Sequence, residues 1–206
     1  MARRPRSPSK GSADPKLDQL VVLAQRVLAE GGAKHVSTEV GQAALELGQK
    51  LGGSLALLGR VLERIGSHAL LDHLLDLPLA LSLNGETELA LSLAQTWLFL
   101  APDKLNGDAA VILANAGRRE AALARVDKNL AHASDVTIAE AKAGDVYRAL
   151  GEHDAAEAYY RRALAEAKNP MERAEAVLRI TSLLIDTGRE ADARAFVEAQ
   201  RAQPAK

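Results

Sequence analysis

Apolar residues recur along this chain at the three- and four-residue intervals of an α-helix, and no segment alternates with the two-residue period of a strand over a useful length. The first run, KLDQLVVLAQRVLAE, sets Leu17, Leu20, Val21, Leu23, Ala24, Val27 and Leu28 at helical intervals, and Asp14-Pro15 before it supplies a cap and a first-turn proline. Two later helix starts are equally marked. Thr137-Ile138-Ala139-Glu140 has the spacing of a capping box, and Asn169-Pro170-Met171-Glu172 combines an N-cap, an N1 proline and a returning acid. The pattern predicts an all-α chain.

Glycine punctuates these runs at a regular interval. Gly52, Gly85, Gly117, Gly151 and Gly188 each stand between two helical patterns, where a left-handed residue can end one helix and turn the chain into the next. They are 33, 32, 34 and 37 residues apart. A helix–turn–helix period near 34 predicts about eleven helices, a leading one near 17–30 followed by five antiparallel pairs. Residue size follows the same interval. Five positions after the glycines stand Ala90, Ala122, Ala156 and Ala193, with Leu57 the exception in the first unit. Four positions before them stand Leu81, Leu113, Tyr147 and Leu184, with Gly48 the exception. Closely packed helices need a small side chain at the crossing and a larger one in the hole beside it. Ala156 is read as the small contact, Tyr147 and Tyr160 as the fillers, and Ala163 as the residue that lets the next helix approach.

Residues 137–170 resemble a tetratricopeptide repeat: Ala143-Gly144, Tyr147, Gly151, Ala156, Tyr160 and Ala163 fall on that family's pattern. Glu140 stands where the family has an aromatic, and the closing proline arrives late, as Pro170. The unit at 71–102 keeps Gly85, Ala90 and Pro102 but carries Pro78 and Trp97 at small-residue positions. Units around Gly117 and Gly188 match in part, and the one around Gly52 matches least. The resemblance implies a right-handed α-solenoid, organised as a basic tail (1–16), a leading helix and turn (17–35) and about five repeat-like helix pairs (36–203). It also implies that function resides on a concave face lined by the first helix of each pair. Positions 13, 10, 6 and 3 before each glycine line that face. The expected peptide-binding groove is Leu75, Leu79, Ser82, Lys104, Val111, Ile138, Asp145, Arg148, Leu178 and Ser182. Some members of the family grip the carboxylate tail of chaperones with Lys and Asn four apart. The corresponding pairs here, Leu75/Leu79, Gly107/Val111, Ala141/Asp145 and Leu178/Ser182, do not form that clamp, and the groove suits an apolar peptide or helix.

Composition and charge narrow the function classes. The 206 residues include no cysteine, which excludes disulfides, thiolate metal sites and thiol catalysis and fits a reducing cytoplasm, the compartment expected here. A formal net charge of -1 argues against a surface that is all nucleic-acid footprint. The charge is unevenly placed, however. Residues 1–16 carry Arg3, Arg4, Arg6, Lys10 and Lys16 against Asp14 alone, together with Pro5, Pro8 and Gly11, and are expected to be disordered. Two readings stand for this segment: a tail that touches nucleic acid, acidic lipid or an acidic partner, or a solubilising terminus. It lacks the apolar region and cleavage site of a secretory signal.

No stretch approaches the roughly 20 apolar residues of a membrane span. The most apolar, ALLDHLLDLPLALSLNG at 69–85, is interrupted by Asp72, His73, Asp76 and Pro78. Pro78 predicts a kink or break near Leu77. Its flanking leucines are more than one helix face can bury against two neighbours, which places Leu75 and Leu79 in an expected patch for a partner or a second copy.

Catalytic signatures are missing. His68 and His73 are five apart rather than the four that bring two imidazoles to one metal, and the glycine pairs at 31–32 and 52–53 lack the strand and the Lys-Ser/Thr of a phosphate loop. No Ser/His/Asp grouping has a local signature. Tyr159-Tyr160 is read as core rather than a base-stacking platform, and Arg118-Arg119 and Arg161-Arg162 as solvated helix starts or faces. Neither a metal nor a cofactor is expected. The expected function is a non-enzymatic adaptor that binds a partner protein in the groove, or itself through 69–83. The alternatives are a chaperone resembling the small repeat-containing secretion chaperones of bacteria, and nucleic-acid association through the tail.

Overall fold

In the computed structural model, residues 14–29 and 36–202 are described; the expectations for the basic segment 1–13 and for the glycine pair at 31–32 lie outside them. The described residues form eleven α-helices and no strand: α1 (Pro15–Ala29), α2 (Thr38–Leu51), α3 (Leu55–Ile65), α4 (Ala69–Leu83), α5 (Thr87–Thr96), α6 (Pro102–Asn115), α7 (Arg119–His132), α8 (Val136–Ala149), α9 (His153–Glu166), α10 (Pro170–Asp186) and α11 (Glu190–Arg201). From α4 onward they form an α-solenoid. Each even-numbered helix folds back against the next, and the second helix of one pair packs on the first helix of the following pair.

The turns explain both the regularity and its exception. All five punctuating glycines have positive φ, which costs a residue without Cβ little. At Gly151 the amide donates to Arg148 O (3.0 Å) and the next amide, of Glu152, to Tyr147 O (2.9 Å), the paired bonds of a Schellman turn. The same two bonds recur at Gly85, Gly117 and Gly188. Gly52 differs. Its amide reaches back to Gly48 O (3.0 Å) in the simpler left-handed cap, and a second left-handed residue, Gly53, follows. The chain therefore leaves α2 in another direction, and α3 packs chiefly against α1. The expected first pair, α2 with α3, is replaced by α1 with α2, and α3 is an added helix packed on α1. Arg60 pairs with Asp14 (2.8 Å) and Arg64 with Asp18 (3.4 Å) along that contact.

Helix starts mostly follow their sequence signals. Asn169 accepts from the amides of Met171 and Glu172, and Glu172 returns to the Lys168 amide at 2.7 Å. The box expected at Thr137 is displaced by two residues. Asp135 is the N-cap of α8 and accepts from the amides of Thr137 and Ile138. Thr137 already lies inside the helix, and its hydroxyl donates to Glu166 O (3.1 Å) at the end of α9. Asp103 holds the same corner, accepting from Ser134 Oγ (2.6 Å) and the Asp135 amide (2.8 Å).

Pro78 does not break its helix, which runs unbroken from Ala69 to Leu83. Proline inside a helix costs about 3 kcal/mol, and burial of Leu70, Leu74, Leu77, Pro78 and Leu81 offsets it. Helix α4 has four packing neighbours, α1, α2, α5 and α6, rather than two. That is why only Leu83 among the leucines of this segment is exposed, while Leu75 and Leu79 are half-buried against the core. The core continues beyond α6 through Ala122, Val126 and Val146 to Ala156, Tyr160, Ile180 and Leu183.

Candidate interaction face

The first helices of successive pairs, α4, α6, α8 and α10, are joined by a ladder of charges. Lys104, in the first turn of α6, donates to Leu75 O (2.7 Å), on the turn preceding Pro78, and to Asp108 Oδ2 (2.9 Å), and pairs with Asp76 at 3.3 Å. Asp108 is fully buried and sits between two cations, because Lys142 Nζ of α8 lies 2.5 Å from its Oδ1. Lys142 also lies 3.6 Å from Asp145. Asp145 in turn accepts from Tyr160 Oη (2.9 Å) and Arg179 Nε (3.2 Å), and Arg179 closes the ladder on Glu175 at 3.1 Å.

Charges this buried persist only when paired, since desolvating an ion costs several kcal/mol. Burial opposes the charge on Arg179, but Asp145 and Glu175 outweigh it and raise its pKa. Burial, reinforced by the Asp145 carboxylate, holds the Tyr160 phenol far above its ordinary range. Both groups keep a fixed charge state at neutral pH: Arg179 a cation, Tyr160 a neutral donor.

Two glycines bring the helices close enough for these bonds. A Cβ built on Gly107 would lie 2.4 Å from Cβ of Lys142, which puts α6 and α8 in near-backbone contact. One built on Gly144 would lie 2.4 Å from the Tyr160 ring, whose hydroxyl thereby reaches Asp145. Between α8, α9 and α10 the ladder borders a cavity of about 120 Å³. Its apolar lining is Ile138, Ala141, Ala163 and Ala176, and Lys104, Thr137, Lys142, Glu172, Glu175 and Arg179 complete it.

Of the residues expected in the groove, Lys104 and Asp145 are rungs of this ladder, and Lys104 and Ile138 line the cavity. Arg148 is tied to Asp186 of α10. Leu178 is 65% exposed, and Ser82 and Ser182 are half-buried. Val111, Leu75 and Leu79 are half-buried against the core. Asp108, Lys142 and Arg179 were not singled out from the sequence, although a signal for them exists. Asp76, Asp108, Lys142 and Arg179 each stand nine residues before their glycine, so one repeat position is charged in four consecutive units.

Tyr159 offers no free stacking face. Its ring stacks on Tyr147 with centroids 5.0 Å apart, and the Arg162 guanidinium lies 3.9 Å above it. Among the described residues no three His, Asp or Glu side chains are placed to hold a metal, and no helix is long and apolar enough to cross a membrane.

No family model matches the sequence, and no curated protein matches it. Solved structures align with the chain at a distance. A thermophilic TPR protein of Thermus thermophilus shares 22% identity over 87% of this chain and 87% of its own, with a TM-score of 0.48. A tetratricopeptide repeat protein from Parabacteroides merdae shares 15% over 93% of this chain and 81% of its own, with a TM-score of 0.48. A MamA protein shares 15% over 94% of this chain and 99% of its own, with a TM-score of 0.45. Likeness at this level assigns no residue a role, and the repeat residues and paired helices of the chain itself carry the comparison. In fold, the chain is a tetratricopeptide-repeat-like α-solenoid: four regular helix pairs headed by an irregular three-helix unit.

Proposed function

We propose that the chain is a non-enzymatic interaction module that holds an apolar peptide or helix of a partner protein on the face formed by α4, α6, α8 and α10. One observation carries the reading. The charges of the ladder on these helices are paired with one another, from Asp76 to Glu175, whereas Ile138, Leu178 and Ile185 stay exposed. A face whose ions are internally neutralised and whose open positions are apolar suits helix-in-groove binding rather than capture of a charged tail. The groove residues are those expected from the repeat, Leu75 to Ser182, with Ala141, Lys142 and Arg179 added around the cavity.

Selecting peptides from a random library against the purified full-length chain tests the reading. Affinities of the selected peptides are then compared for the wild type and for Leu178→Ser with Ile185→Ser. The expected outcome is a loss of at least tenfold with an unchanged thermal midpoint, equivalent to about 1.4 kcal/mol. Equal affinity for both proteins, or no selected peptide at all, overturns it.

A further inference from the structure

We propose that the cavity between α8, α9 and α10 is an anchor pocket for one large uncharged apolar side chain, of leucine or phenylalanine size, projecting from a bound peptide. This inference rests on the interaction-module reading and specifies where the peptide is held.

The cavity lies where an equivalent repeat position changes. Gly107, ten residues before its glycine, lets α6 meet α8 at Lys142, nine residues before the next. In the following pair the same two positions are Ala141 and Arg179. Arg179 meets α8 through its guanidinium, at Asp145, and the two backbones stand farther apart than those of α6 and α8. Helices α6 and α8 pack extensively, whereas α8 and α10 have few close backbone contacts and are bridged by Asp145–Arg179 and Arg148–Asp186. Ala141 and Arg179 both line the space left between them. Small side chains, Ala163 of α9 and Ala176 of α10, leave it unfilled from below, and both are buried.

Size and chemistry select the occupant. At about 120 Å³ the space is near that of an engineered apolar cavity of about 150 Å³ that takes up benzene. One leucine or phenylalanine side chain fits, and a helix does not. Around this apolar lining stand three cations, Lys104, Lys142 and Arg179, each already paired with a carboxylate of the ladder, and two carboxylates, Glu172 and Glu175. An anionic ligand would face the two glutamates, and a cationic one the two lysines and the arginine. A neutral residue in a peptide avoids both penalties. Its backbone N–H finds an acceptor in the exposed Glu175 carboxylate, and its carbonyl a donor in Arg179 Nη2, both charge-assisted bonds. A buried apolar anchor within a polar rim is the arrangement that concentrates binding energy in few residues.

The test uses the ¹⁵N-labelled full-length chain titrated with N-acetyl-leucinamide, N-acetyl-phenylalaninamide, N-acetyl-glycinamide and N-acetyl-aspartate amide. The leucine and phenylalanine probes are expected to shift the amide signals of Ala141, Ala163 and Ala176 saturably in the millimolar range, and the other two are not. Ala176→Leu, which fills the space, is expected to weaken those shifts at least tenfold. If that variant loses thermal stability, Ile138→Ser at the mouth replaces it, with a weakening of threefold or more expected. The pocket is overturned if no probe shifts these signals, if the aspartate probe shifts them as strongly, or if neither variant weakens the effect. Library peptides weakened by Leu178→Ser with Ile185→Ser but untouched by Ala176→Leu would overturn the pocket and leave the module reading standing. Probe shifts at the pocket without any selected peptide would overturn the module reading, and with it the peptide anchor, and leave only the pocket's preference for an uncharged apolar side chain.

Discussion

Gly48 of α2 lies directly beneath Trp97 at the end of α5: a Cβ built on Gly48 would come within 2.4 Å of Thr96 Cγ2 and 3.1 Å of the indole ring. Each residue breaks the repeat pattern by itself, a glycine where a larger residue is expected and a tryptophan where a small one is. Together they conserve volume. The fully buried indole occupies the space that a side chain on Gly48 would take, so α2 and α5 still pack closely.

Gly48→Ala is therefore expected to destabilise. Alanine improves helix propensity by about 1 kcal/mol, but forcing a methyl against a buried ring and a neighbouring Thr96 costs roughly 1–3 kcal/mol. Combining it with Trp97→Leu should recover part of the loss, a coupling that a double-mutant cycle of urea midpoints measures. Additive losses would show that the two side chains do not share the space.

Ala156 and Tyr160 are both fully buried on α9, and opposite changes in volume should each be costly. Ala156→Leu is expected to cost roughly 1–3 kcal/mol through overpacking, and Tyr160→Ala roughly 3–5 kcal/mol through the cavity left beside Gly144. Urea midpoints equal to wild type for both variants would refute the packing register.

Lys142 neutralises Asp108 from the side of α8. Lys142→Met leaves that buried carboxylate with only Lys104, and a loss of roughly 3–5 kcal/mol is expected. Adding Asp108→Leu should restore much of it, because an apolar pair of similar volume escapes the desolvation penalty. Chemical denaturation of the single and double variants at pH 7 decides between a coupled buried pair and two independent surface charges.

Glu157 of α9 links its own helix to the next pair, meeting Arg161 and Arg189 at 2.7 Å each. Burial pushes its pKa up, yet the hydrogen bonds from the two arginines outweigh this and hold it below the ordinary carboxylate value. A carboxyl depressed in the folded state contributes stability that is present above its unfolded pKa, near 4.3, and lost as pH falls through the folded value. Glu157→Gln should thus be less stable than wild type at pH 7, and the gap should close below about pH 4. A gap that is constant between pH 3 and 7, read from urea midpoints, would assign the loss to shape rather than charge.

Much of the architecture was legible because it depends on local backbone chemistry. A glycine at positive φ after an apolar helical run is a near-local requirement, so Gly85, Gly117, Gly151 and Gly188 marked their turns without reference to anything distant. Asn169-Pro170 marked a helix start for the same reason. Thr137 was misleading because its hydroxyl has two uses, and a partner 29 residues away, Glu166 O, takes it while Asp135 caps the helix. The break that Pro78 allowed did not occur, since its cost is local but the burial that offsets it comes from four other helices.

The helices, their period and the small residues at their crossings are written in the string of residues, because they follow from dihedral preferences and the volume of single side chains. Which helices pair at the start of the chain is settled in three dimensions, since a left-handed cap at Gly52 and a Schellman turn at Gly85 look alike as glycines but aim the next helix differently. The same holds for which charges on the first helices find partners and where a cavity opens. A charge nine residues before each glycine is visible in the string. Its partner depends on how near two backbones come, and Gly107, which has no side chain, lets α6 lie against Lys142 of α8.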